Sequence, residues 1–137
     1  MSRITGIGGI FFKAADPAKL KDWYKTHLHF DISEWGGRAF MWRDHENPDE
    51  IGRTEWSIMN ETTDYLNPST KNFMINYRVT DLEKLLEELR AEGVTVVGEM
   101  ESHSYGKFGW ILDPEGQKIE LWEPIESGFD TTVEEKS

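Results

Sequence analysis

GKFGWILDPEGQKIELWEP, residues 106–124, reads as strand, tight turn, strand. Phe108, Trp110 and Leu112 alternate with Gly109 and Ile111, and Ile119 and Leu121 alternate with Glu120 and Trp122. A period of two built from aromatic and β-branched residues is the pattern of β-strands. Between the two runs, Asp113-Pro114-Glu115-Gly116 has turn chemistry: proline presets φ at the second position and glycine tolerates positive φ at the fourth. The hairpin sets one carboxylate, Glu120, in the middle of an otherwise apolar strand. Burying a carboxylate is costly unless partners meet it, so this position marks a candidate site.

Working outward, the same reading places strands at Ile4–Ala14, Phe30–Trp35, Arg38–Arg43, Arg53–Asn60, Asn72–Val79 and Val94–Val97. Two helices begin at N-capping aspartates. Asp16 precedes Pro17 at the first helical position, and Ala18–Leu28 presents Leu20, Trp23, Tyr24 and His27 at helical spacing. Asp81 precedes a stripe of Leu82, Leu85, Leu86 and Leu89 that Gly93 ends. Glu61–Lys71 is a polar connector, and Glu99–Lys107 a loop. Gly6, Gly8 and Gly9 in the first strand point to a bulge, a close backbone approach or a missing side chain.

The pattern repeats at a shift of 65 residues. Ile10 meets Ile75, Phe12 meets Tyr77, Asp16 meets Asp81, Leu20 meets Leu85 and Glu55 meets Glu120. Each copy reads β-α-β-β-β, so the chain divides into a first module, residues 1–65, a second, 66–124, and an acidic, frayed tail, 125–137. Neither module is large enough to hold a core alone, so the two are expected to share one.

Composition narrows the function classes. The 137 residues carry a formal charge of −11, which repels nucleic acid and anionic membranes and favours cationic ligands, besides keeping a small domain soluble. No apolar run approaches the roughly 18 residues of a membrane span. MSRITGIGGIFF lacks the pattern of a signal peptide, and there is no cysteine, which together predict a cytoplasmic protein without disulfides or thiolate metal sites.

The two strand-Asp-helix starts, Ile10–Asp16 and Ile75–Asp81, together with DPEGQKIELWEP at Asp113–Pro124, resemble the vicinal oxygen chelate superfamily of glyoxalases, bleomycin-resistance proteins and dioxygenases. The resemblance covers about residues 4–124. It implies an α+β fold in which two βαβββ modules form an incomplete, cup-shaped mixed β-barrel flanked by helices, with the ligand in the cup. It also implies a homodimer. Metal-dependent members carry a His or Gln on each module's first strand and a Glu on each last strand. Those positions here are Gly9 and Met74, then Glu120 and either Glu55 or, with a two-residue slip, Ser57. Glycine has no ligand atom and a thioether is too soft for hard cations, so no metal and no other cofactor is expected.

Candidate site residues follow from these strands. Trp122 shares the face of Glu120, so an aromatic-lined cup with one or two carboxylates (Glu120, Glu55) and Ser57 suits a flat or cationic ligand. His103 and Tyr105 enter the hairpin near the cup mouth, where either could donate a hydrogen bond and His103 could act as acid or base. His27 and His29 form an HxH pair better read as helix-terminal cations. Two classes of function compete. One is a metal-free binding module that sequesters an aromatic or cationic small molecule. The other is a lyase, isomerase or dioxygenase acting on a small oxygenated substrate, with Glu120 as base or remaining metal ligand; Glu120 and His103 are its candidate catalytic residues. Binding is the favoured reading.

Overall fold

The computed structural model describes residues 3–34 and 36–125. Nine elements follow in order: β1 (Gly6–Ala14), α1 (Pro17–Leu28), β2 (Gly37–Arg43), β3 (Ile51–Asn60), β4 (Phe73–Arg78), α2 (Leu82–Ala91), β5 (Glu101–His103), β6 (Gly106–Leu112) and β7 (Lys118–Pro124). The strands form one mixed, seven-stranded sheet in the order β2-β3-β1-β4-β7-β6-β5. It does not close into a barrel; β2 and β5 are its edges. The two halves of the chain meet along the antiparallel pair β1–β4, while β1–β3 and β4–β7 are parallel. The strand pairing repeats between the halves, but the first half runs β1-α1-β2-β3 and the second β4-α2-β5-β6-β7, so the expected β-α-β-β-β pattern lacks one strand in the first half among the described residues. The tail assigned to 125–137 lies outside the described residues beyond Ile125.

Both helices start where the aspartates predict. Asp16 and Asp81 accept from the backbone N–H groups of Lys19 and Lys84, at 3.1 and 3.3 Å. Gly93, at φ 88°, follows α2 in the left-handed conformation that suits a glycine after a helix end. α2 lays Leu82, Leu85 and Leu86 on the sheet against Val79 and Leu121, with Tyr77, Ile111 and Ile119 at the margin. α1 is held differently. None of its residues is buried, and it docks through Tyr24, whose ring meets Phe12, Phe30 and Trp56.

Two expected strands are corrected. Residues 30–34 are not a strand. Phe30 turns its ring into the aromatic cluster on Trp56, at 4.8 Å between centroids, and Ser33 and Gly37 close a turn through their backbones. Trp35 lies outside the described residues. Val94–Val97 is reduced to a single bridge, Val96 to Ile111, and the edge strand is Glu101–His103, inside the stretch read as a loop. The connector 61–71 is polar in sequence, yet Leu66 is fully buried against Met74 and Trp110.

Register sorts the faces. Paired strand residues share a face, so Gly9, Glu55, Asn76, Glu120 and Trp110 lie together, as do Phe11, Ser57 and Met74 on that same side. This inner face points away from the helices. The glycines of β1 serve it. A bulge falls between Ile7 and Gly9, and the space beside the glycines is already filled. A Cβ at Gly8 would collide with Asn76 Oδ1 and lie 2.8 Å from Trp122; one at Gly9 would lie 2.6 Å from the Phe11 ring. Of the three readings of these glycines, bulge and close approach hold; an open space does not. Overpacking of this kind costs about 1–3 kcal/mol. Gly8→Ala should therefore lower stability by about that amount in urea denaturation, whereas Glu115→Ala, at an exposed position in the β6–β7 turn, should not.

Candidate functional site

The carboxylate singled out in the sequence is the centre of a buried network. Glu120 is 3% exposed. Its Oε1 accepts from Asn76 Nδ2 at 2.6 Å, and its Oε2 accepts from Trp110 Nε1 at 2.9 Å and from the Tyr65 hydroxyl. β4 delivers Asn76 directly opposite Glu120, β6 delivers Trp110 opposite it on the other side, and the connector brings Tyr65 over the top. Because a carboxylate only accepts, it fixes the Asn76 amide with nitrogen inward. Asn76 Oδ1 is left buried without a partner.

Lys118, two residues before Glu120 on the same face, completes the cluster. Its Nζ donates to the Tyr65 carbonyl at 2.6 Å and lies 5.2 and 5.6 Å from the ring centroids of Tyr65 and Trp110. Burial lowers the Lys118 pKa, and the neighbouring Glu120 opposes that shift. Burial and the same carboxylate push the Tyr65 phenol well above its ordinary range, so it stays a hydrogen-bond donor.

The other predicted residues separate into groups. Glu55 binds Arg53, with Oε1 2.7 Å from Nε. Ser57 faces Phe11 and Gly37 across the neighbouring strands. Trp122 is 2% exposed, stacked on Phe108 at 5.8 Å and 7°, and its Nε1 donates to the Tyr105 carbonyl. The Tyr105 ring stacks on His103 at 5.3 Å and 6°, and His103 Nε2 lies 3.1 Å from Glu101 Oε1 at the exposed tip of β5. The structure therefore joins Trp122, Tyr105 and His103 through Phe108. It gives Glu120 and Glu55 separate partners.

Register also settles the counterpart of Glu120. The 65-residue shift sets Phe11 on Asn76. Phe11 pairs with Ser57, and Asn76 pairs with Glu120. Ser57 is thus the counterpart, and Glu55 corresponds to Lys118 by the same construction. Gly9, Ser57, Met74 and Glu120 together offer one carboxylate whose two oxygens already receive three protein donors, a hydroxyl, a thioether and no fourth side chain. That set does not fit a divalent metal. Among the described residues no group of three or more His, Asp or Glu is arranged to hold one.

A cleft of about 250 Å³ opens at the rim where β1, β2, β3, β4 and β7 meet. Trp42, Arg78, Asp44, Glu50 and Glu123 are among the residues that line it. Trp42 lies over Gly6 and Gly52 and is held by Nε1–H to Thr54 Oγ1, 2.9 Å. Arg78 packs its guanidinium 5.5 Å from the Trp42 ring and 5.2 Å from that of Trp122, so Trp122 reaches the cleft through Arg78. Sequence reasoning missed Tyr65, Asn76, Trp110, Lys118, Arg53, Arg78 and Trp42 as site residues. Asn76 and Arg78 were within reach, since both are polar and in phase on the strand Phe73–Arg78.

The profile of the family described as Glyoxalase/Bleomycin resistance protein/Dioxygenase superfamily matches residues 6–121. No curated protein matches the chain in sequence. Among solved structures, methylmalonyl-CoA epimerase from Mycobacterium tuberculosis is 22% identical over 91% of each chain, with a TM-score of 0.57. A Streptomyces coelicolor methylmalonyl-CoA epimerase variant in complex with 2-nitronate-propionyl-CoA is 18% identical, covering 88% of this chain and 98% of its own, at 0.62. A superfamily member from Vibrio splendidus 12B01 is 14% identical over 85% and 97%, at 0.52. At these identities the likeness is one of fold.

Two substitutions test the network. In Glu120→Gln the oxygen can still accept from Tyr65 and Trp110, and a flipped Asn76 can receive the new amide through Oδ1. Glu120→Ala strands two buried donors, of Asn76 and Trp110, each costing about 1–3 kcal/mol, and frees the part-buried Tyr65 hydroxyl. Urea denaturation should show a loss of about 3 kcal/mol or more for Ala and less than about 2 kcal/mol for Gln.

Proposed function

The chain belongs to the glyoxalase/bleomycin resistance protein/dioxygenase superfamily, and from that premise we propose that it is a metal-free binding protein for a flat, cationic small molecule, acting by sequestration. The observation that carries this reading is the rim cleft, whose lining includes Trp42 and three acidic residues, Asp44, Glu50 and Glu123. An indole face attracts an organic cation by about 0.5–2 kcal/mol, and carboxylates add to it. Asp44 and Glu123 each commit one oxygen to backbone N–H groups, of Glu46 and Asn47 and of Leu82 respectively. Glu50 is exposed and is the carboxylate with which an arriving cation pairs first. Among the described residues no helix is long and apolar enough to cross a membrane. A cytoplasmic location, a homodimeric state and indifference to nucleic acid belong to the same proposal, supported by the charge of −11 and the family.

A second reading, an enzyme on a small oxygenated substrate, has the Tyr65–Glu120 contact in its favour, because it sets a phenol hydroxyl, as donor, against a carboxylate that can accept a proton. It requires that contact to open, since both Glu120 oxygens are already engaged by protein donors.

Elemental analysis of purified protein should find no stoichiometric zinc, nickel, manganese or iron. One metal per chain, lost on Glu120→Ala, would restore the metal-dependent enzyme.

Flat cationic dyes should bind more tightly than matched anionic ones in isothermal titration, and Glu50→Gln should weaken the cations severalfold without changing the melting temperature. A preference for anions would place the ligand elsewhere.

A further inference from the structure

We propose that β2 pairs antiparallel with the β2 of a second copy of this chain, across a two-fold axis at Phe40, so that two seven-stranded sheets run on as one. This rests on the homodimeric reading above and gives that dimer its interface. The two halves of the chain treat the same edge differently. β1, β3 and β2 correspond to β4, β7 and β6, each set joined by one parallel and one antiparallel pair. In the second half, β5 covers the outer edge of β6. In the first half, no strand among the described residues covers β2, which ends the sheet. Residues 30–34 form no strand beside it; Ser33 donates through its N–H and its hydroxyl to the Gly37 carbonyl at the start of β2, at 2.8 and 2.9 Å.

An edge strand presents a row of unpaired N–H and C=O groups, and it is normally blunted by brevity, lysine, proline or a bulge. β5 follows that rule, being three residues long. β2, GRAFMWR, does not. It is seven residues long, contains neither lysine nor proline, and keeps an unbroken register with β3. Phe40 and Met41 at its middle are 39% and 45% exposed, on opposite faces of the sheet. The side chains along this edge fit a second copy. Phe40 is the midpoint of β2, so an axis there pairs all seven residues. Phe40 then meets its own counterpart, Ala39 meets Met41, Arg38 meets Trp42 and Gly37 meets Arg43. No two like charges face each other. Arg38, Phe40 and Trp42 share one face, and the Arg38 guanidinium already lies 4.6 Å from the Phe40 ring centroid. Pairing sets it opposite an indole as well, so that face becomes a ladder of rings and guanidinium groups.

The chain has no cysteine, which makes the register readable by cross-linking. Facing residues of an antiparallel pair have Cα atoms about 4.5–5.5 Å apart, within the roughly 4.4–6.8 Å of disulfides. Phe40→Cys should therefore give a disulfide-linked dimer under mild oxidation, read by non-reducing electrophoresis. Met41→Cys should not, because its two copies are offset along the strands and lie more than about 7 Å apart. If Phe40→Cys does not fold, a mixture of Ala39→Cys and Met41→Cys reads the same register: the two should join to each other and neither to itself. Sedimentation of the full chain over a concentration series should show a monomer–dimer equilibrium. Phe40→Lys, which sets like charges face to face, should raise its dissociation constant severalfold with the circular dichroism unchanged. A dimer in which Phe40→Cys cross-links no better than Glu115→Cys, at the exposed β6–β7 turn, would overturn this interface and leave the homodimer standing. A chain that stays monomeric throughout would overturn both.

Discussion

The interaction on which the rest of the molecule depends is the set of hydrogen bonds to the Glu120 carboxylate. A buried carboxylate without partners would cost several kcal/mol, and here three donors from three separate segments meet it. Those segments are β4, β6 and the connector, so one side chain fixes the inner sheet and the strap above it. Lys118 reinforces the strap by holding the Tyr65 carbonyl. The connector is polar in composition, but Tyr65 is anchored through both its hydroxyl and its carbonyl, and Leu66 beside it is fully buried. A carboxylate that could serve chemistry in an open cup is here part of the frame.

The same close fit governs β1. The absence of a side chain at Gly9 does not leave a hole, because Phe11 folds back over the glycine. Gly8 admits Asn76 and Trp122, and Gly6 and Gly52 admit Trp42. The small residues of the first module and the indoles of both modules are one feature. Close packing then explains why the open space of this face is found at the rim, where Trp42 and Arg78 end the packed layer.

Much of this was legible in advance for physical reasons. Asp16 and Asp81 announce their helices because an N-cap is local chemistry, and the hairpin 106–124 announces itself by alternation and turn residues. Glu120 stood out because an ionisable residue interrupts an apolar strand. What was not legible depends on register or on distant partners. Residues 30–34 carry a strand-like composition, yet Phe30 is drawn into the cluster around Trp56 and the backbone turns instead. The choice between Glu55 and Ser57 required the pairing of β1 with β3 and of β4 with β7, which a shift of 65 residues cannot supply. Tyr65 had no local signal at all, since its partner lies 55 positions away.

Net charge and local charge give opposite guides to the ligand, and the distinction is one of screening. The chain carries −11, yet Arg53, Arg78 and Lys118 are each less than a tenth exposed. Exposed charges lose their reach beyond about 8 Å at physiological salt, whereas buried ones are screened far less. The acidic surface therefore acts on approach, favouring the arrival of cations. At the cleft itself the Arg78 guanidinium packs against the rings of Trp42 and Trp122, and Glu50 is exposed. Of these two, Arg78 has the stronger short-range influence, because less solvent stands between it and a bound group.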